Sequence, residues 1–222
     1  MSRLRNLREN ADRWGLRRAI LDLIVKVGAR YLGIHLYVVR CRKFPESPSD
    51  SETAHDLNFR LIKPDELLDL SADPELDMRT DFVDDANARG DLAFGAFDGP
   101  TLVSYIWRSI EYAPDADNVW IRIQKPYNYA YKSFTRSAYR GRRISPAIHL
   151  FSDNEMRQHG YGYRVGFVAV TNYASLEMGK HMGSVVIGYA GYLAWFGLLL
   201  PFRTRPVKEI GFEFFRPAAT PS

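Results

Sequence analysis

Apolar residues recur at helical spacing twice near the start of the chain. Leu4, Leu7, Ala11 and Trp14 form the first set, and Ile20, Leu23, Ile24 and Val27 the second, with arginines between them. That period predicts helix over residues 1–31 with a basic opposite face. From residue 33 the period changes. His35, Tyr37 and Val39 alternate with Leu36 and Val38 in "GIHLYVVRCRKF", which predicts a strand over 33–44. Residues 45–56, "PESPSDSETAHD", are polar and acidic and read as a linker. Beyond it "LNFRLI" is strand-like and "KPDELLDLSA" helical, with Pro64 in its first turn. "MRTDFVDDANARGD" reads as a second helix stopped by Gly90. "LAFGAF" and "TLVSYIWRSI" flank the turn Asp98-Gly99 and read as a hairpin. "VWIRIQ" and "YNYAYKSFT" read as one long strand bent at Lys125-Pro126. A helix over roughly 146–159, a strand in "YRVGFVAV" and a helix led by Asn172 and ended by Gly183 follow.

Residues 184–202 run without a charge, which is the length of a membrane span. Gly188, Gly191, Gly197 and Pro201 make it a poor helix. Buried strands at 185–189 and 192–196 are predicted instead. The whole order implies a mixed, mostly antiparallel α/β sheet flanked by helices.

Charge divides the chain in three. The net charge is +4, but residues 1–44 carry +8, residues 45–117 carry −13 and residues 118–222 carry +9. A basic half calls for an anionic partner, while the acidic middle argues against nucleic acid. The N-terminal helix suits an anionic membrane surface, and equally a solvated basic face on a packed helix. The single cysteine, Cys41, and five scattered histidines offer no metal-ligand spacing. No metal is expected, and the expected location is the cytoplasm, with peripheral attachment to the inner face of the membrane through residues 1–31.

Chemistry concentrates at residues 138–149, "AYRGRRISPAIH". Three arginines, Arg140, Arg142 and Arg143, surround Gly141, and Ser145 and Pro146 are residues that open helices. A strand feeding such a turn leaves unpaired N–H groups at the helix start, where phosphates bind. A solvated basic turn satisfies the same residues.

"FTRSAYRGRRIS" resembles the acyl-CoA pyrophosphate loop of the GNAT (Gcn5-related) N-acyltransferases, and "VGFVAVTNYASLEMGKHMG" resembles that family's following strand and Asn-led helix. The resemblance covers roughly residues 55–200. It implies a GNAT-like domain over 57–216, after a helix-plus-strand segment (1–44) and the linker. It implies that Arg140, Gly141, Arg142, Arg143, Ile144 and Ser145 hold a pyrophosphate. The backbone of Phe134 and Thr135 would meet the pantetheine arm, and Asn172 and Ser175 the thiol end. Acetyl-CoA or another acyl-CoA is the implied cofactor, with an acyl-carrier-protein thioester as a variant, and a small-molecule or peptide amine is the acceptor. The loop departs from the family pattern at Ala138, where Gln or Arg is preferred, and at Arg143 and Ser145, where glycines are. A family tyrosine is replaced by Gly179.

The implied reaction is attack of a neutral amine on the thioester, which needs a base and an acid. Glu111 and His149 are the candidate bases, and Tyr173 or Tyr163 a candidate acid. Gly179, Gly183 and Gly188 suggest room for an acyl group longer than acetyl, or else serve turns and bends. A non-catalytic acyl-CoA or lipid-binding module is the alternative function. The oligomeric state is left open.

Overall fold

The structure, a computed structural model, describes residues 15–45, 56–115 and 118–217. Its elements in chain order are α1 (Leu16–Leu32), β1 (Ile34–Lys43), β2 (Asn58–Ile62), α2 (Pro64–Ser71), α3 (Thr80–Ala88), β3 (Leu92–Asp98), β4 (Thr101–Ser109), β5 (Tyr112–Pro114), β6 (Trp120–Arg122), β7 (Tyr127–Thr135), α4 (Ile144–Gln158), β8 (Tyr163–Ala169), α5 (Tyr173–His181), β9 (Val185–Trp195), β10 (Leu198–Arg203), α6 (Arg205–Glu209) and β11 (Glu213–Phe215). The fold is mixed α/β, with mostly antiparallel strands and flanking helices. Two compact units form, one from Lys43–Ala113 and Ile123–Val165, the other from the chain up to Arg42, Pro114–Arg122 and the chain from Gly166.

The first unit is built on the β2–β3–β4–β7 ladder, antiparallel throughout, with β8 added parallel to β7 at Tyr127↔Tyr163, Asn128↔Arg164 and Tyr129↔Val165. Side chains alternate across a strand. On β4, Tyr105 and Trp107 therefore face one core with Leu67, Leu76 and Val83, and Leu102 joins them because the ladder shifts register at Val103, between Ala96 and Phe97 of β3. Val103 and Ile106 face the other core, with Ile144, Ile148 and Met156 of α4. The β3–β4 hairpin turns at Gly99, whose φ is +55°. The helix led by Pro64 and the stop at Gly90, with φ +75°, are as the sequence predicts.

The second unit holds β1 paired antiparallel with β9, and β9 with β10. Tyr37, Phe167, Tyr192, Phe212 and Phe214 form its aromatic core, with the centroids of contacting rings 5.2–6.2 Å apart.

Three expectations are corrected. The strand predicted to bend at Lys125-Pro126 is two strands: β6 pairs with β11, while β7 pairs with β4. The two strands predicted at 185–189 and 192–196 are one, β9, which returns through Phe196-Gly197 into β10. Burial there is confined to Ala190, Gly191 and Tyr192, and most large apolar side chains of the hairpin are exposed. The third concerns α1. Its buried residues are Ala19 and Asp22, while Leu16, Ile20, Leu23, Ile24, Val27 and Tyr31 point outward. Leu4, Leu7, Ala11 and Trp14, and most of the predicted linker, lie outside the described residues. No helix among the described residues is long and apolar enough to cross a membrane.

Candidate active site

At the end of β7 the chain turns through a short 3-10 segment at Ser137–Tyr139 and enters α4. Arg136 fixes this exit. Its Nε donates to the Leu102 carbonyl at 2.7 Å, its N–H to the Val103 carbonyl at 2.9 Å, and its guanidinium pairs with Asp73 and Glu75. Alternate residues of a strand direct their backbone groups to opposite sides. The Arg136 N–H faces β4, so the backbone groups of Thr135 face away from it. The Phe134 carbonyl, by contrast, accepts from the Ser104 hydroxyl at 2.7 Å.

The helix start corrects the sequence reading. Arg143, not Ser145, is the N-cap, and Ile144, not Pro146, is the first helical residue. Ser145 and Pro146 occupy the second and third helical positions, where proline's missing N–H costs nothing because that donor has no intrahelical partner. Arg143 holds φ +58°, a left-handed conformation that costs a non-glycine residue about 1–2 kcal/mol. Gly141 holds φ +80°, and a Cβ there would meet nothing within 4 Å.

Thr135, Tyr139, Arg140, Gly141, Arg143 and Ser145 line a cavity of about 320 Å³. The α4 N-terminus carries no side-chain cap and no acidic residue in its first turn. Its N–H groups and dipole are therefore available to an anion. Arg140 reaches back to the Thr135 carbonyl at 3.3 Å, and Arg142 lies over the Tyr139 ring. Tyr139 is held in turn by Asp98, which accepts from its hydroxyl at 2.7 Å. That bond raises the phenol's pKa, because it favours the protonated form. Six of the predicted cofactor positions, Thr135, Arg140, Gly141, Arg143, Ile144 and Ser145, thus converge on one cavity. Arg142 is exposed beside it.

A buried ionic cluster, missed in the sequence, clamps α4 to the sheet. Arg108 of β4 donates to Asp153 at 2.6 Å, to the Ser152 hydroxyl at 2.6 Å and to the His149 carbonyl at 3.2 Å. Both side chains of the Arg108–Asp153 pair are 0% exposed. Arg164 of β8 joins Asp153 at 3.2 Å and lies 2.9 Å from His149 Nδ1. Arginine can only donate, so in this contact Nδ1 is the acceptor. The signal available was Arg108 inside an otherwise apolar strand, since a fully buried arginine needs a paired acid.

Glu111 is exposed on the turn after β4, and its carbonyl accepts from the Ile123 N–H at 2.7 Å. In the second unit, Asn172 caps α5 through Oδ1, which accepts from the Ser175 N–H at 3.2 Å, as predicted for a helix led by that residue. The Tyr173 hydroxyl donates to the Arg18 carbonyl at 3.1 Å, and burial raises its pKa. Gly179 and Gly188 supply no free room for an acyl chain. A Cβ on Gly179 would lie 2.9 Å from the Arg40 guanidinium, and one on Gly188 would lie 2.2 Å from Thr204 Oγ1. Arg40 is itself held by the carbonyls of Leu176 and Ser184. Gly183 has φ +74° and ends α5.

No protein-family model matches the sequence, and no curated protein does. Among solved structures, the chain is similar to a GNAT family acetyltransferase from Brucella melitensis in complex with acetyl-CoA, over 48% of this chain and 72% of that one, at 16% identity and a TM-score of 0.38. A GNAT-family acetyltransferase from Novosphingobium aromaticivorans is matched over 77% of this chain and 66% of its own length, at 11% identity and a TM-score of 0.45. An aminoglycoside 6'-N-acetyltransferase from Acinetobacter baumannii is matched over 57% and 89%, at 18% identity and a TM-score of 0.41. These are distant likenesses. The chain's own order here is strand, basic turn, helix, strand and Asn-capped helix.

Proposed function

We propose that the protein is an N-acyltransferase, moving an acetyl or longer acyl group from an acyl-CoA thioester to a primary amine. The observation that carries this reading is the cavity at the α4 N-terminus, where an uncapped helix start, Gly141 and the cations Arg140 and Arg143 converge. An open approach to the backbone, unpaired N–H groups and guanidinium groups fit a diphosphate. Arg140, Arg142 and Arg143 would bind its oxygens together with the N–H groups of Ile144 and Ser145. The outward backbone of Thr135 would take the pantetheine amide.

In the reaction the amine nitrogen attacks the thioester carbonyl, a C–N bond forms and the C–S bond breaks. Glu111 would take the ammonium proton, because the His149 Nδ1 is engaged by Arg164. A proton must then be returned to the departing thiolate, the role for which the sequence offers Tyr173 as a candidate acid. A non-catalytic acyl-CoA-binding role is the second reading, favoured by one feature: the Arg40 guanidinium packs against Gly179, where the family tyrosine would stand.

Calorimetry with CoA tests the first step, comparing wild type with Gly141→Trp and Arg140→Ala/Arg142→Ala. The expected result is binding by wild type and at least tenfold weaker binding by both variants. Absence of binding by wild type ends both readings. Binding without thiol release from acetyl-CoA across a panel of amines selects the non-catalytic one.

A further inference from the structure

The second unit presents an apolar surface that its own described residues leave uncovered, and it is continuous. The α1 stripe of Leu16, Ile20, Leu23, Ile24, Val27 and Tyr31 faces outward. At its end Gly33, with φ +65°, bonds to β9: the Ala194 N–H donates to the Gly33 carbonyl at 2.9 Å. Ala194 immediately precedes Trp195 and Phe196 at the β9–β10 tip, and these are 61% and 87% exposed. The helix end and the aromatic tip are therefore neighbours. Ile34, paired with Leu193, fills the surface between them, and Leu198 and Leu200 extend it along β10. A groove of about 470 Å³ lined by Leu23, Ile24, Val27, Gly28, Ile34 and Leu36 opens beside the helix.

The charges around this surface select its occupant. Residues 16–32 advance 100° per residue, which puts Arg17 and Arg30 on the two flanks of the apolar stripe. The unit's acids are largely engaged elsewhere: Asp22 with Lys26, Glu209 with Arg205, and Glu213 with Arg122 and Arg203. A second copy meeting this face across a two-fold axis would bring arginine flanks toward arginine flanks without acids to match them. An apolar stripe edged by arginines, with tryptophan and phenylalanine at one end, instead matches an acyl layer under anionic headgroups.

We propose that α1 and the β9–β10 tip dock this protein on an anionic lipid surface, with Trp195 and Phe196 inserted and Arg17 and Arg30 at the headgroups. The inference is independent of the acyl-transfer reading.

Vesicle flotation of the full chain tests it, comparing phosphatidylcholine alone with phosphatidylcholine carrying about one-third phosphatidylserine. The expected result is flotation with the anionic vesicles and little with the neutral ones. Trp195→Ser/Phe196→Ser should weaken binding at least tenfold. Arg17→Gln/Arg30→Gln should weaken it by about fivefold per arginine. All four side chains are exposed, so circular dichroism should be unchanged. Failure of the wild type to float with anionic vesicles overturns the proposal. So does flotation that the aromatic pair does not affect. A dimer in sedimentation that Trp195→Ser/Phe196→Ser dissolves, with no flotation, would assign the face to a second copy instead.

Discussion

Asp153→Asn should be among the most damaging single polar substitutions in the first unit. The carboxylate lies 2.6 Å from Arg108 and 3.2 Å from Arg164, and its side chain is fully buried. The substitution keeps the shape and removes the charge. Arg108, also fully buried, then loses the carboxylate charge 2.6 Å away and cannot shed its proton. Removing one partner of a buried pair costs about 3–5 kcal/mol. The amide oxygen still accepts one hydrogen bond, which argues for about 3 kcal/mol. With a urea dependence of about 2–3 kcal/mol per molar, the unfolding midpoint should fall by about 1–1.5 M. Replacing the pair together, as Arg108→Met/Asp153→Leu, removes both charges and should restore stability to within about 1 kcal/mol of wild type. A loss below about 1 kcal/mol in Asp153→Asn would refute the reasoning, because it would mean that water reaches the pair. So would a double variant no better than the single one. The cluster also matters for the site. It joins α4 to β4 and β8, so the helix whose N-terminus forms the cavity is fixed by charge as well as by Ile144, Ile148 and Met156.

Arg143→Gly should stabilise the fold by about 0.5–1 kcal/mol, since glycine accepts φ +58° without penalty, and should weaken CoA binding by removing a cation; thermal unfolding and calorimetry on the same variant measure both. Gly33→Ala should destabilise by about 2 kcal/mol or more, because a Cβ would sit 1.9 Å from the Ala194 carbonyl oxygen at a left-handed φ; urea unfolding reads the loss. The hydrogen bonds from Arg60 hold the Glu66 carboxyl below its ordinary value of 4.5. The unfolded chain therefore binds more protons just below that value, so this contribution is complete above about 4.5 and is lost as pH falls through the folded-state pKa. Glu66→Gln should flatten that part of a stability profile measured between about pH 3 and 6, and an unchanged profile would count against the pair.

What the sequence revealed, and what it hid, follows from the range of each interaction. The Asn172 cap, the Asp98-Gly99 turn and the Gly90 stop depend on residues within a few positions, and their signals are local. At the start of α4, Ser145-Pro146 carries a local helix-start signal, whereas the turn is closed two residues earlier by an arginine in a glycine's conformation. No propensity predicts a non-glycine residue there. The ion pair of Arg108 with Asp153 spans 45 residues and became visible only when β4 and α4 met.

The second unit shows the limit of hydrophobic pattern. An uncharged run such as 184–202 reads as interior, because burial in protein and burial in lipid leave the same pattern. The folded chain separates the two cases. Along β9 only Ala190, Gly191 and Tyr192 are buried, while Trp195 and Phe196 remain at the tip beside an α1 stripe that points outward. Small and polar residues, Ala19 and Asp22, occupy the inner side of that helix. A helix packed in this sense leaves its hydrophobic free energy unspent by the described fold. That exposed apolar face is what the proposed docking on an anionic lipid surface would bury.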